Sequence, residues 1–422
     1  MSMAREHTTT KKRPELIAPA GSHAAMQAAL RAGADAVYFG TEGCNMRAGS
    51  ESFTPTDFPA IRKLADSHGA RAYLTLNTTV YDSELPMIKS YVAAAKSAGL
   101  DAVICWDMAV IDACRRESMP FHLSTQASVS NTAAIRYFAA QGATMIVPAR
   151  ELTLQQVQRL TTMVEEERLP LKIECFVHGA MCVAVSGRCF LSQELFGKSA
   201  NRGECVQPCR RSYIVTDPEE GVSLELGSDY VMSPKDLSAV EFLDRLMDAG
   251  IGAFKIEGRS RSPEYVQTVT SAYRRALDCC ISERSDPGFR ARYSALTAEL
   301  KEELRTVYNR GFSDGFYFGR PLEAWSKSYG SQALERKTYL GKVVKYYPKA
   351  GVAEILIQAG KLTAGGKLSI QGPVTGVETF TPESFRTNDV EGSPTATKGD
   401  TITLRCPKVR KNDAVYLLEE RR

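Results

Sequence analysis

No apolar run in this 422-residue chain approaches the roughly 20 residues that span a bilayer, so a helical membrane protein is excluded. There is no H-E-x-x-H helix, no G-x-S-x-G elbow, no Walker loop and no G-x-G-x-x-G turn after a strand. Zincin, serine-hydrolase, P-loop and dinucleotide chemistries therefore lose their usual sequence marks. Only five histidines are available for acid–base work. A strong charge imbalance is missing too: the formal charge of +4 permits an anionic partner without demanding one. The first 13 residues, MSMAREHTTTKKR, are charged but have no apolar h-region. They read as a disordered polar tail, not a secretion signal. The expected location is a reducing cytoplasm, where structural disulfides are rare.

What is present reads as a globular enzyme, 43% hydrophobic and 24% charged. Its length suits one large domain and one small one. From Pro14 onward, short apolar runs alternate with amphipathic helical stretches. The runs are ELIAPA (15–20), AVYFG (36–40), RAYLTLN (71–77), DAVICWD (101–107), FHLSTQA (121–127), TMIVPAR (144–150), LKIECFVHG (171–179) and AFKIEG (253–258). Each has the length and composition of a strand buried on both faces. Eight β-α units in about 250 residues predict an α/β fold, a TIM-type (β/α)8 barrel over 14–320. An open doubly wound sheet, the alternative, rarely needs eight parallel strands.

Barrel active sites form at the C-terminal ends of the strands. Polar residues stand there in a ring: Asn45 and Arg47, Asn77, Asp107, Gln126, Arg150, His178 and Glu257. The connection after strand seven, 180–252, is far longer than the others, and long insertions are usually functional. Within it, residues 212–237 read as a hairpin-like excursion, with the next helix starting at Ser233–Leu237. Residues 262–307 read as helical and 309–321 as a Gly-aromatic loop. A polar linker over 321–337 leads to an alternating segment, 338–422, expected to form a small β-barrel domain. Its KVRK at 408–411, with Arg421 and Arg422, suits either phosphate contacts or a solvated charged face.

Eleven cysteines divide into two groups. Cys105, Cys114, Cys175, Cys279, Cys280 and Cys406 sit in apolar contexts and read as packing residues. Cys182, Cys189, Cys205 and Cys209 crowd into the long insertion as C-x6-C-x15-C-x3-C. Structural zinc favours two tight knuckles, and only Cys205–Cys209 makes one. Iron–sulfur clusters tolerate wider spacing, so spacing favours a cluster over zinc, with a redox disulfide third. Arg188, Arg202, Arg210 and Arg211 beside the thiols favour the thiolate that either metal needs. His178, in a stretch that ends at Cys182, is the best acid–base candidate; His23, His68 and His122 read as capping or packing residues.

The stretch Glu174–Cys182 followed by Ser186–Ser192 resembles the signature of the collagenase-like peptidases, unclassified peptidase family thirty-two. The likeness extends to Asn201–Arg210, Ser233–Leu237, Lys255–Arg259, Glu15–Gly21 and Gly33–Tyr38, and so to about residues 14–320. Residues 338–422 resemble the family's small C-terminal β domain. Within the family, the chain is most similar to the tRNA 5-hydroxyuridine synthases. That resemblance implies oxygen-independent hydroxylation of a tRNA wobble uridine, with prephenate as hydroxyl source. It also implies a 4Fe-4S cluster on Cys182, Cys189, Cys205 and Cys209. Sister branches hydroxylate 23S rRNA or ubiquinone precursors, and one ubiquinone-pathway relative takes a ligand from an early cysteine, which makes Cys44 a reserve ligand. The insertion between Arg210 and Lys235 is shorter than in some tRNA-modifying relatives.

On this reading Arg47, Arg150, Lys255 and Arg259 supply cations for the dicarboxylate. Asn77 and Gln126 read the edges of a flipped base, and His178 moves protons. His178, Glu257 and Gln126 are the candidate catalytic residues. The arginines around the cysteines and the C-terminal domain meet tRNA phosphates. The competing expectations are a peptidase, with zinc-activated water or a Ser or Cys nucleophile, and a non-catalytic assembly partner holding a structural cluster.

Overall fold

The computed structural model describes residues 13–47, 53–225, 232–321, 324–327, 330–388, 390 and 395–421. The tail at 1–12, residues 226–231 of the hairpin excursion, parts of the linker and Arg422 lie outside the described residues. Eight parallel strands follow the eight apolar runs: β1 (Glu15–Pro19), β2 (Ala36–Gly40), β3 (Arg71–Leu76), β4 (Ala102–Cys105), β5 (Phe121–Leu123), β6 (Ala143–Ile146), β7 (Lys172–Gly179) and β8 (Ala253–Ile256). Each pairs with the next, and β8 pairs with both β7 and β1, so the barrel closes. Among the described residues no helix is long and apolar enough to cross a membrane.

The strand period of two sorts side chains between lumen and shell. Ile17, Ala36, Tyr38, Tyr73, Ala102, Ile104, Met145 and Ala253 form an inner cluster. The intervening Leu16, Ala18, Val37, Phe39, Leu74 and Val103 join the larger core beneath the helices. Fully burying one such Leu, Val or Phe contributes about 1.5–3 kcal/mol. The helices are α1 (His23–Arg31), α2 (Phe58–Asp66), α3 (Leu85–Ser97), α4 (Met108–Arg116), α5 (Thr132–Ala140), α6 (Leu154–Glu166), α7 (Leu191–Phe196), α8 (Leu243–Asp248), α9 (Pro263–Glu283) and α10 (Phe289–Thr306). Ser22, Asp107, Asn131 and Thr153 cap α1, α4, α5 and α6 with side-chain oxygens; each such cap contributes about 1 kcal/mol.

The long insertion carries α7, two single helical turns (Ala200–Arg202 and Pro208–Arg210) and a two-stranded hairpin. Residues 236–238 are a strand, not the start of a helix as the sequence suggested. This strand runs antiparallel to the end of β7, with Leu237 opposite Gly179, and parallel to Phe312–Ser313. The reason is length. β7 has eight residues against four in β8, so its end outruns its neighbour, and the added strand satisfies exposed backbone groups. α8 begins only at Leu243.

The C-terminal segment forms a seven-stranded antiparallel sheet around its own core of Leu340, Val343, Ile355, Ile370, Ile402 and Val415. It docks on α1 and α9 through Arg31–Glu378 at 2.8 Å and Lys337–Glu264 at 2.8 Å. The KVRK cations Lys408, Arg410 and Lys411 are exposed.

Candidate active site

A cavity of about 240 Å³ opens at the C-terminal end of the barrel. Strand ends and following loops supply Arg47, Asn77, Gln126, Arg150, Lys255, Glu257 and Arg259; the insertion closes the other side with Cys182, Cys189, Cys205 and Cys209. Two neighbouring aromatics, Tyr38 and Phe176, complete the floor.

The floor is an arrangement of cations around one carboxylate. Arg47 donates to Glu257 Oε1 from Nη2 at 2.6 Å and from Nε at 3.1 Å. Tyr38 donates to the other oxygen at 3.3 Å. Burial penalises the Glu257 carboxylate, yet Arg47, Arg259 and Arg150 outweigh that penalty and hold the group at about 2. Lys255 is matched by Glu174 at 2.7 Å, both buried, and lies 4.6 Å from the Tyr38 ring centre. Arg259 donates to Thr75 Oγ1 and to Asn45 Oδ1, and burial pulls it down to about 10. Burial also lowers Arg150, which donates to Ala180 O at 3.1 Å and lies over the Phe176 ring.

Two guanidinium nitrogens, Arg150 Nη2 and Arg259 Nε, are buried without a hydrogen-bond partner among the described residues. Leaving a buried donor unmade costs about 1–3 kcal/mol. Such donors beside a single neutralised carboxylate are suited to a bound anion.

The thiol wall is tied down from both sides. Arg210 donates to Met181 O and Pro234 O, each at 2.6 Å, pinning the chain before Cys182. Arg202 pairs with Glu84 and fixes the middle of the insertion to the barrel rim. Gly203, at φ +88°, presses so close that a Cβ would meet Asn45 O at 2.2 Å. Burial raises the Cys209 thiol; Arg210 opposes it, while Cys182, Cys205 and Cys189 raise it further, so the four share one field. Leu191 N–H reaches Cys189 Sγ at 3.4 Å, and the Ser192 hydroxyl reaches Cys205 Sγ at 3.8 Å.

Among the described residues no three His, Cys, Asp or Glu side chains are grouped to hold one metal ion. A tetrahedral zinc with 2.3 Å bonds draws its sulfurs to about 3.8 Å of one another. A four-iron cluster takes each thiolate on a different iron and needs them farther apart. Four thiols on one cavity wall are the number and type of donor that a four-iron cluster requires.

The family description "Peptidase family U32" matches residues 21–327. The chain belongs to peptidase family U32. Its U32 relatives include a protein named Collagenase from Porphyromonas gingivalis, 41% identical over 96% of this chain and 98% of its own length. The tRNA hydroxylation protein P1 of Bacillus subtilis is 32% identical over 88% of this chain and 86% of its own. The 23S rRNA 5-hydroxycytidine synthase of Escherichia coli is 35% identical over 74% of this chain and 46% of its own.

Not every expected residue of this U32 chain reaches the cavity. His178, in β7, turns its side chain away from the cavity, its Nδ1 3.3 Å from the Tyr273 hydroxyl, packed among Tyr265, Tyr273 and Phe312. Burial, helped by Arg261, pulls its imidazole down to about 3, so it stays neutral. The structure does not bring it to the other candidates. Asp107 caps α4 and accepts from Val80 N–H at 3.0 Å. Asn45 acts one step back, accepting from Arg47 N–H at 2.8 Å and from Arg259. Cys44 is 1% exposed and outside the cavity lining; burial pushes its thiol up to about 11. Asn77 Oδ1 accepts from Met46 N–H at 3.2 Å, and Gln126 Oε1 from Ser124. Sequence reasoning missed Tyr38, Phe176, Thr75 and Glu174. Their signal was parity: Tyr38, Phe176 and Glu174 sit on the lumen-facing alternation of strands whose ends were identified.

One glycine sets the position of Arg259. A Cβ on Gly21 would lie 1.6 Å from Arg259 O, so only glycine lets the two backbones approach. Gly21→Ala is expected to cost about 1–3 kcal/mol and to displace Arg259. Urea midpoints and anion affinity, measured together, check this; unchanged anion affinity with lowered stability contradicts the positioning role.

Proposed function

We propose that this chain hydroxylates RNA, converting a tRNA wobble uridine to 5-hydroxyuridine with prephenate as hydroxyl source. In this reading Cys182, Cys189, Cys205 and Cys209 hold a 4Fe-4S cluster. One observation carries it: a single cavity joins four thiols to a floor where Arg150 and Arg259 keep buried donors free for an anion. U32 relatives whose names state tRNA and rRNA hydroxylation, at 32% and 35% identity, support the substrate class. Replacing C–H by C–OH withdraws two electrons from the base; the hydroxyl donor, whose C–O bond breaks, would take up both, and a bound cluster would supply one-electron redox chemistry between them.

The chain's own residues have separable tasks. Arg150 and Arg259, with Arg47 held by Glu257, take the carboxylates of the co-substrate in fork geometry. Asn77 and Gln126 stand on the barrel side of the cavity, where the polar edge of a flipped base would be read. Lys255, screened by Glu174 and Tyr38, sets the floor's charge. A cytoplasmic location accords with a tRNA substrate.

Proteolysis, suggested by the relative named Collagenase, finds less support in the cavity. Among the described residues no histidine lines it, and the hydroxyls of Ser124 and Ser192 go to Gln126 and Cys205. Glu257, held at about 2, is a weak base at neutral pH. Nucleoside analysis of tRNA from a deletion strain decides the matter. Loss of 5-hydroxyuridine derivatives, restored by the intact gene, is expected; unchanged levels would sink the tRNA assignment.

A further inference from the structure

A second cavity lies across the loop that opens the cysteine insertion. Its volume is about 270 Å³, close to that of the active-site cavity, and Met181, Cys182 and Val183 line both. The far walls present two aromatic rings, Phe316 and Trp325, and two cations, Lys235 and Arg320. Among the described residues no Asp or Glu lines it. Trp325 is 37% exposed although its backbone is fixed, bridged to Pro234 and followed by a 2.7 Å bond from Ser326 N–H to Ser233 O. A tryptophan held in place by its backbone but open at its ring is a stacking platform.

We infer that this second cavity receives the nucleotide next to the one held in the active site. The inference rests on the RNA reading and deepens it. Two cavities of like size, sharing one wall three residues wide, suit consecutive units of one polymer. Aromatic rings with unopposed cations recognise a base and its phosphate. A neutral Pro-rich peptide would use the rings and leave both cations without a partner, so the charge favours the polynucleotide.

The test is binding of a uridine-containing tetraribonucleotide and of uridine monophosphate to the anaerobically purified full chain. Trp325→Ala is expected to weaken the tetranucleotide about tenfold, with the monophosphate changing less than twofold. Trp325→Phe restores most of the loss. Arg320→Gln, an exposed change that spares the fold, lowers the slope of log K against log salt by roughly 0.7. If Trp325→Ala leaves tetranucleotide binding intact, or weakens both ligands alike, the subsite is wrong while RNA binding stands. If the unaltered protein binds no ribonucleotide, or binds a Pro-Pro-Gly repeat through Trp325 instead, the subsite and the RNA reading fall together.

Discussion

If the proposed cluster is present, the unaltered chain purified without oxygen is expected to carry about four iron and four sulfide, and Cys205→Ser to lose nearly all of both. Hydroxylated uridine in its host tRNA disappears with them. The argument is one of ligand chemistry: each thiolate serves one iron, and a serine hydroxyl is not ionised at neutral pH. Cys205 is exposed at the cavity mouth, so the change leaves the barrel core untouched. The Val206 N–H bond to Ser192 Oγ, at 3.2 Å, does not involve the thiol and survives. Unfolding of the metal-free form should therefore shift by no more than about 0.5 kcal/mol. Cys44→Ser is the control. Its thiol is buried off the cavity, and iron content should not change with it. Full iron in Cys205→Ser, or zinc without sulfide in the unaltered protein, would falsify the cluster.

Most of the barrel was legible because its signal is local. A strand buried on both faces must be apolar throughout, and all eight such runs became strands in register with one another. Residues just past a strand end face the mouth, which is why Arg47, Asn77, Gln126, Arg150 and Glu257 converge from separate loops. His178 failed for a local reason that no periodicity reveals. It lies inside β7, where the pairing with β8 slips: Lys255 faces Phe176, but the next residue, Ile256, faces His178. The extra residue, Val177, is a bulge that breaks the alternation, and His178 turns outward toward Tyr273. The misplaced helix start at Ser233–Leu237 has the same root, since the overlong β7 recruits that segment as a strand. Partners such as Glu174 and Lys255, 81 residues apart, become visible only once the barrel closes. The field around Glu257 is likewise a property of closure, assembled from Arg47, Arg150 and Arg259 on different loops.

That field makes Glu257→Gln the second large expected effect. Arg47 holds the carboxylate by two hydrogen bonds, and Gln keeps its shape without its charge. Removing it leaves buried guanidiniums uncompensated, a change that costs about 3 kcal/mol or more at neutral pH. Arg47 loses its anchor, and a misplacement of the order of 1 Å lowers the rate by about 100-fold. The pH dependence fixes the cause. A carboxylate whose folded value is lowered contributes stability above its unfolded value, and that contribution is lost as pH falls through the folded value. For Glu257 the window runs from the ordinary 4.5 down to about 2. The advantage of the unaltered protein over Glu257→Gln should thus be constant from pH 7 to 5 and fall by more than half near pH 3. Urea unfolding of both metal-free proteins across that range measures it. An advantage that persists unchanged at pH 3 would mean that Glu257 stabilises the fold by shape and hydrogen bonding, and that its charge does not hold the cations of the floor in place.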